Sequence, residues 1–170
     1  LIDADLCQPG VWEPSVYRDI NGGLTMAHFV DVLKVGVGSC ADGFRFNPIE
    51  YRHIHRGMVP IFTLEQIDDL PRGRVPAVGE SCLLFGTMRA YLGNVLVTPM
   101  ASWVNEQEPL RFGVKAEFVQ IAPRDGLYYF WWAFLQSPSF LQSLPVGSGD
   151  TRPRLPTEQL LRTSIDVPPL

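Results

Sequence analysis

Apolar and polar positions along this chain alternate in short bursts, and the bursts predict short strands and short helices. Leu24 to Phe29 fits one helical turn, and Val30 to Val37 alternates as a strand ending at Gly36 and Gly38. Val59 to Phe62 reads as a further strand, with an acidic helical turn over Leu64 to Leu70. Gly79-Glu80 is a turn feeding a buried strand at Ser81 to Phe85, and a second strand covers Val95 to Thr98, so that residues 86–94 become a hairpin tip. Phe112 to Ile121 carries Val114, Ala116, Phe118 and Ile121 in a strand pattern that ends at the turn Pro123-Arg124-Asp125-Gly126. The run LYYFWWAFLQ from Leu127 predicts a helix of about three turns, and so dense an aromatic run belongs to a core or a subunit contact, not to a base-stacking platform.

Three stretches lack a period. Residues 1–23 end in Asn21-Gly22-Gly23 and read as a leader packed on the domain formed by residues 24–170. Ser39 to Met58 reads as a long polar loop, and Pro71 to Val78 as a connector. Near the end, Thr157 is placed to N-cap a short helix over Glu158 to Leu161, and Ser164 to Val167 alternates as a last strand stopped by Pro168 and Pro169.

At 170 residues with 46% hydrophobic and 19% charged residues, the chain fits one domain with a sizeable core, and disorder is excluded. No apolar run approaches the ~20 residues that a membrane span needs. Leu1 in place of Met, with no basic segment before an apolar one, argues for a piece of a longer protein and against a signal peptide. Cys7, Cys40 and Cys82 are far apart and odd in number, which supports neither a disulfide framework nor a zinc motif and suits a reducing cytoplasm.

Net charge is -4, awkward for any partner rich in phosphate. Distribution changes that picture. Of 14 basic residues only Lys34 and Lys115 are lysines, and arginine is the side chain that grips a phosphate or a guanine edge with two donors. The loop from Ser39 holds Arg45, Asn47, Tyr51, Arg52, His53, His55 and Arg56, an inventory suited to phosphates and base edges. Arg72 and Arg74 flank Gly73, where a backbone can approach closely. The hairpin tip presents Arg89, Tyr91 and Asn94. The structural alternatives are a solvated loop, a solvated turn and an Arg89–Glu80 pair bracing the hairpin.

Catalytic signatures are missing. The chain has no G-x-S-x-G elbow, P-loop or H-E-x-x-H, and Gly36-x-Gly38 lacks the third glycine of a dinucleotide site. Asn47-Pro48-Ile49-Glu50 is half of the Asn-Pro-Pro-aromatic tetrapeptide of amino-methyltransferases, and His53-x-His55 offers two metal ligands without a third. The expectation is a non-catalytic domain that holds neither metal nor cofactor.

The last stretch runs from a small-residue loop at Gly147 through Thr151-Arg152-Pro153-Arg154, a short helix and a strand to Pro168-Pro169-Leu170. This order resembles the end of a target recognition domain in the specificity subunit of type I restriction-modification systems, a module also fused to some DNA methyltransferases. Gln136-Ser137-Pro138 before a short helix at Phe140 to Leu144, Glu80 with Thr87 to Arg89, and Leu24, Asp31 and Val32 are similar to the same family. The resemblance covers residues 24–170 and implies an α+β fold, a curved and mainly antiparallel sheet with several short helices packed beside it, as in DNA methylase specificity domains. It also implies that a spacer helix follows Leu170. The implied partners are double-stranded DNA, of which one half of a bipartite target is read, and a methyltransferase subunit or domain, with a restriction subunit beside it. S-adenosylmethionine, ATP and Mg would sit on those partners. Thr151, Arg152 and Arg154 become phosphate contacts that fix register, and the polar loop and hairpin tip become base readers. A degenerate recognition domain serving as a protein-interaction module is the alternative.

Overall fold

The computed structural model describes residues 23–33, 35–39, 47–54, 74–103, 109–149 and 151–165. They form a mixed α+β structure with eight short strands, three short α-helices and several single 3-10 turns. One sheet, in the order β1-β8-β5-β6, is antiparallel throughout and consists of Val30–Leu33, Phe118–Pro123, Leu83–Gly86 and Val95–Val97. The other, in the order β2-β4-β7-β3, consists of Gly36–Ser39, Arg74–Val78, Phe112–Val114 and Asn47–Ile49, and its β3–β7 pair is parallel. The single curved sheet expected from the family resemblance is thus two four-stranded sheets among the described residues.

The continuous apolar runs at β5 and β6 follow from burial on both faces. Leu83, Phe85, Val95 and Val97 point toward the helices, whereas Leu84 and Leu96 point toward the second sheet, where they meet Ile49, Val78, Phe112, Val114 and Phe118. The period of two along each strand divides the core into these two layers.

The helices cover the outer face of the first sheet. Helix α1, Tyr128–Phe134, starts where the Asp125 carboxylate accepts the Leu127 N–H at 2.9 Å and the Trp131 indole N–H at 3.0 Å. Trp131 is buried and meets Phe29 at 5.6 Å between ring centroids. Helix α2, Pro138–Ser143, has Ser137 as a true N-cap, its hydroxyl accepting the Phe140 N–H at 3.3 Å, with proline in the first turn where a missing N–H costs nothing. Phe140 packs edge-on against Phe85 and tilts onto Phe134. Helix α3, Thr157–Arg162, buries Leu160 and lies on the 3-10 turn Met26–His28, with the Met26 N–H bound to the Thr163 carbonyl at 3.0 Å. No helix among the described residues is long and apolar enough to cross a membrane.

Several expected elements change. Val30 to Val37 is not one strand: β1 and β2 belong to different sheets. Phe112 to Ile121 divides in the same way into β7 and β8, with a turn between them that the alternation hides. The polar loop contains β3 and the 3-10 turn Tyr51–His53, and the connector ends in β4. Pro76 is tolerated inside β4 because it lies where that strand has β2 alone for a neighbour; β7 joins only at Ala77 and Val78. The aromatic helix is shorter than three turns. Pro156, not Thr157, is the N-cap of α3, so Thr157 is its first residue. Of the last expected strand, Ser164 bridges Thr25, while Asp166 and Val167 lie outside the described residues, as do residues 1–22, 55–73 and 168–170.

Candidate nucleic-acid interface

The hairpin between β5 and β6 is pinned before it turns. Gly86 donates its N–H to the Asn94 carbonyl at 2.8 Å, and the Thr87 N–H and hydroxyl both reach the Glu117 carbonyl, at 2.8 and 2.7 Å. Gly86 has no room for a side chain, since a Cβ there would stand 2.7 Å from the Tyr51 ring. Past Thr87 the chain enters the left-handed region at Arg89 (φ 50°), which costs a residue other than glycine about 1–2 kcal/mol. Main-chain contacts offset it. The Arg89 N–H donates to the Pro153 carbonyl at 2.8 Å, and its guanidinium donates to the Thr151 carbonyl at 3.1 Å.

The glycine-flanked loop folds onto this tip. Ser148 and Arg154 exchange N–H and carbonyl at 3.1 and 2.9 Å, a small antiparallel pinch between these two residues, and Leu155 donates to the Thr87 carbonyl at 2.9 Å. Gly147 permits the close approach: a Cβ would meet the Arg154 carbonyl oxygen at 2.9 Å. Gly149 holds a φ of 105° that other residues rarely adopt. Two segments more than 60 residues apart in sequence are thereby laced together, and Arg89, Thr151, Arg152 and Arg154 come to one place with all four side chains exposed.

The third contributor is the 3-10 turn Tyr51–His53. Tyr51 stacks on Phe118 at 4.8 Å, and burial pushes its phenol up to about 12, with the Glu117 charge adding to the shift and Arg154 opposing it. Its hydroxyl lies beside the Met88 backbone without the geometry of a hydrogen bond. Tyr51, the chain neighbour of Arg52, is thus within electrostatic reach of Glu117 and Arg154. Glu50 pairs with Arg52 at 3.4 Å and Lys115 at 3.5 Å, and His53 Nδ1 accepts the Glu50 N–H at 3.1 Å. Glu117 pairs with Arg154 at 3.2 Å.

The charges divide unevenly. Arg154 is balanced by Glu117, Arg89 is satisfied by a neutral carbonyl, and Arg152 has no partner among the described residues. Three guanidiniums and the Glu117 carboxylate thus gather within an acidic chain, and the arginine forks there can donate to anionic oxygens. Tyr91 is exposed on the same tip, and Asn94 is half-buried at its neck. Glu80 does not brace Arg89: its Oε1 instead accepts the N–H groups of Ala101 at 2.9 Å and Leu110 at 2.6 Å.

Other expected site residues lie elsewhere. Asn47 opens β3 opposite Phe112, and Arg74 opens β4 opposite Ser39, both on the second sheet. Arg45, His55, Arg56 and Arg72 lie outside the described residues. Nothing local in the chain marks Glu117 or Tyr51 as neighbours of the cluster. Glu117 is 37 residues from Arg154, and the reading of Phe112 to Ile121 as one strand conceals the turn that presents it. Burial pushes the Cys82 thiol up, so it is not a poised nucleophile. No group of side chains that could hold a metal ion occurs among the described residues. Compared with protein-family models and with curated proteins, the chain matches none.

Proposed function

We propose that this chain is a sequence-reading DNA-binding domain of the type that the specificity subunits of restriction-modification systems carry. Thr151, Arg152 and Arg154 grip backbone phosphates and set the register, and Arg89, expected among the base readers, joins that grip because its guanidinium lies on the Thr151 carbonyl. Tyr91, Asn94, Arg52 and His53 stand at the edge of that grip, where bases are read. The supporting observation is the lacing of the hairpin tip to the glycine-flanked loop through Arg89, which gathers arginines into one exposed cluster despite a net charge of -4. The proposed fold is that of a DNA methylase specificity domain, working in the cytoplasm. In this reading the domain performs no chemistry. S-adenosylmethionine, ATP and Mg belong to a methyltransferase subunit or domain and a restriction subunit, which it directs to one half of a bipartite site.

Binding to random duplex DNA, followed as salt rises, tests this reading. Affinity is expected at low salt and falls steeply, with log K linear in log salt. Absence of salt-dependent binding would overturn it. A second reading, a protein-interaction module without DNA specificity, is favoured by the acidic balance and by the exposed apolar side chains of Trp103, Leu127 and Tyr129. That module would retain a methyltransferase subunit while ignoring DNA.

A further inference from the structure

Glu117 stands in the turn between β7 and β8, beneath the arginine cluster. Its main-chain carbonyl holds both polar hydrogens of Thr87, so it is fixed to the turn that carries Arg89. Its carboxylate holds Arg154 Nη2 at 3.2 Å and is the more sheltered partner, 23% exposed against 64%. A guanidinium has five N–H donors, and Glu117 engages one nitrogen, so the rest of the Arg154 fork remains available to an anion. Any phosphate that takes those donors comes close to a fixed carboxylate, and like charges near a partly shielded site repel more than in bulk water.

Resting on the DNA-binding reading above, we propose that Glu117 is a positioning residue that limits the cluster's grip on the phosphodiester backbone. It aims Arg154 and opposes phosphate that arrives without further contacts. Its cost falls hardest on non-specific DNA, where phosphate contacts supply nearly all the affinity. Glu117 thereby raises the ratio of specific to non-specific binding.

The test uses the full chain, random-sequence duplex as probe, and a salt titration. Glu117→Gln keeps the main-chain carbonyl and so the Thr87 bonds. It is expected to bind about three- to fivefold tighter, the range of an exposed ion pair, with a salt slope steeper by about one. Glu117→Asp, which keeps the charge, is expected to stay within about twofold of the parent chain. Glu158→Gln makes the same change in net charge on α3 and is expected to leave affinity nearly unchanged. In an Arg154→Ala background the gain from Glu117→Gln is expected to vanish. If the parent chain binds and Glu117→Gln binds no tighter, the inference falls while the DNA-binding reading stands. A gain that persists without Arg154, or that Glu158→Gln matches, reduces Glu117 to bulk charge and also overturns the inference. If no variant binds duplex at low salt, the DNA-binding reading itself fails, and the inference with it.

Discussion

The helix-covered core and the arginine cluster are built by opposite means. In the core, Phe85, Trp131, Leu135 and Phe140 are buried side chains whose contacts depend on what they are. In the cluster, exposed side chains stand on a scaffold of main-chain hydrogen bonds that depend hardly at all on what they are. Stability and recognition are therefore separable, and substitutions in one region should leave the other largely intact.

The largest expected effect is in the core. Phe140→Ala removes a ring that meets both Phe85 and Phe134 and is expected to cost about 3–5 kcal/mol in denaturant unfolding, with DNA affinity kept wherever the chain is still folded. Gly86→Ala tests the joint between the regions. Its methyl group collides with the Tyr51 ring and the Asn94 main chain, and about 1–3 kcal/mol of stability is expected to go together with duplex binding. If Gly86→Ala lowered stability alone, the hairpin neck would not be shaping the cluster.

An alkaline titration gives a smaller effect. The Tyr51 phenol loses its proton near pH 10 when unfolded and near 12 when folded, so its contribution is fully present below pH 10 and is lost as pH rises from 10 to 12. For a partly buried ring this amounts to about 1–2 kcal/mol after discounting for solvent screening. Tyr51→Phe is expected to flatten that part of the stability profile. The smallest change in stability is expected from Arg152→Ala, within about 0.5 kcal/mol, yet it should lower the salt slope of DNA binding by about one.

How much of this was readable in advance depends on the range of the interactions. The β5–β6 hairpin, the aromatic helix and the Ser137-Pro138 start of α2 are encoded within a few residues by runs of buried apolar side chains, bulk and caps, and they appear close to where the pattern places them. Val30 to Val37 and Phe112 to Ile121 each look like one strand because alternation continues through the turn; only pairing with distant strands shows that the halves enter different sheets. The arginines of the glycine-flanked loop are visible as candidates, but that Arg89 joins them is a tertiary fact, set by a bond from its N–H to Pro153. Neither Glu117 nor Tyr51 carries any local mark of the cluster it supports.

The pinch closed by Ser148 and Arg154 uses amide and carbonyl groups alone, and the contact from Arg89 to Thr151 ends on a carbonyl as well. Every amino acid except proline supplies those groups. Positions 151 and 152 are accordingly interchangeable tiles on a fixed frame, and their chemistry can be rewritten while the frame that displays them keeps its shape.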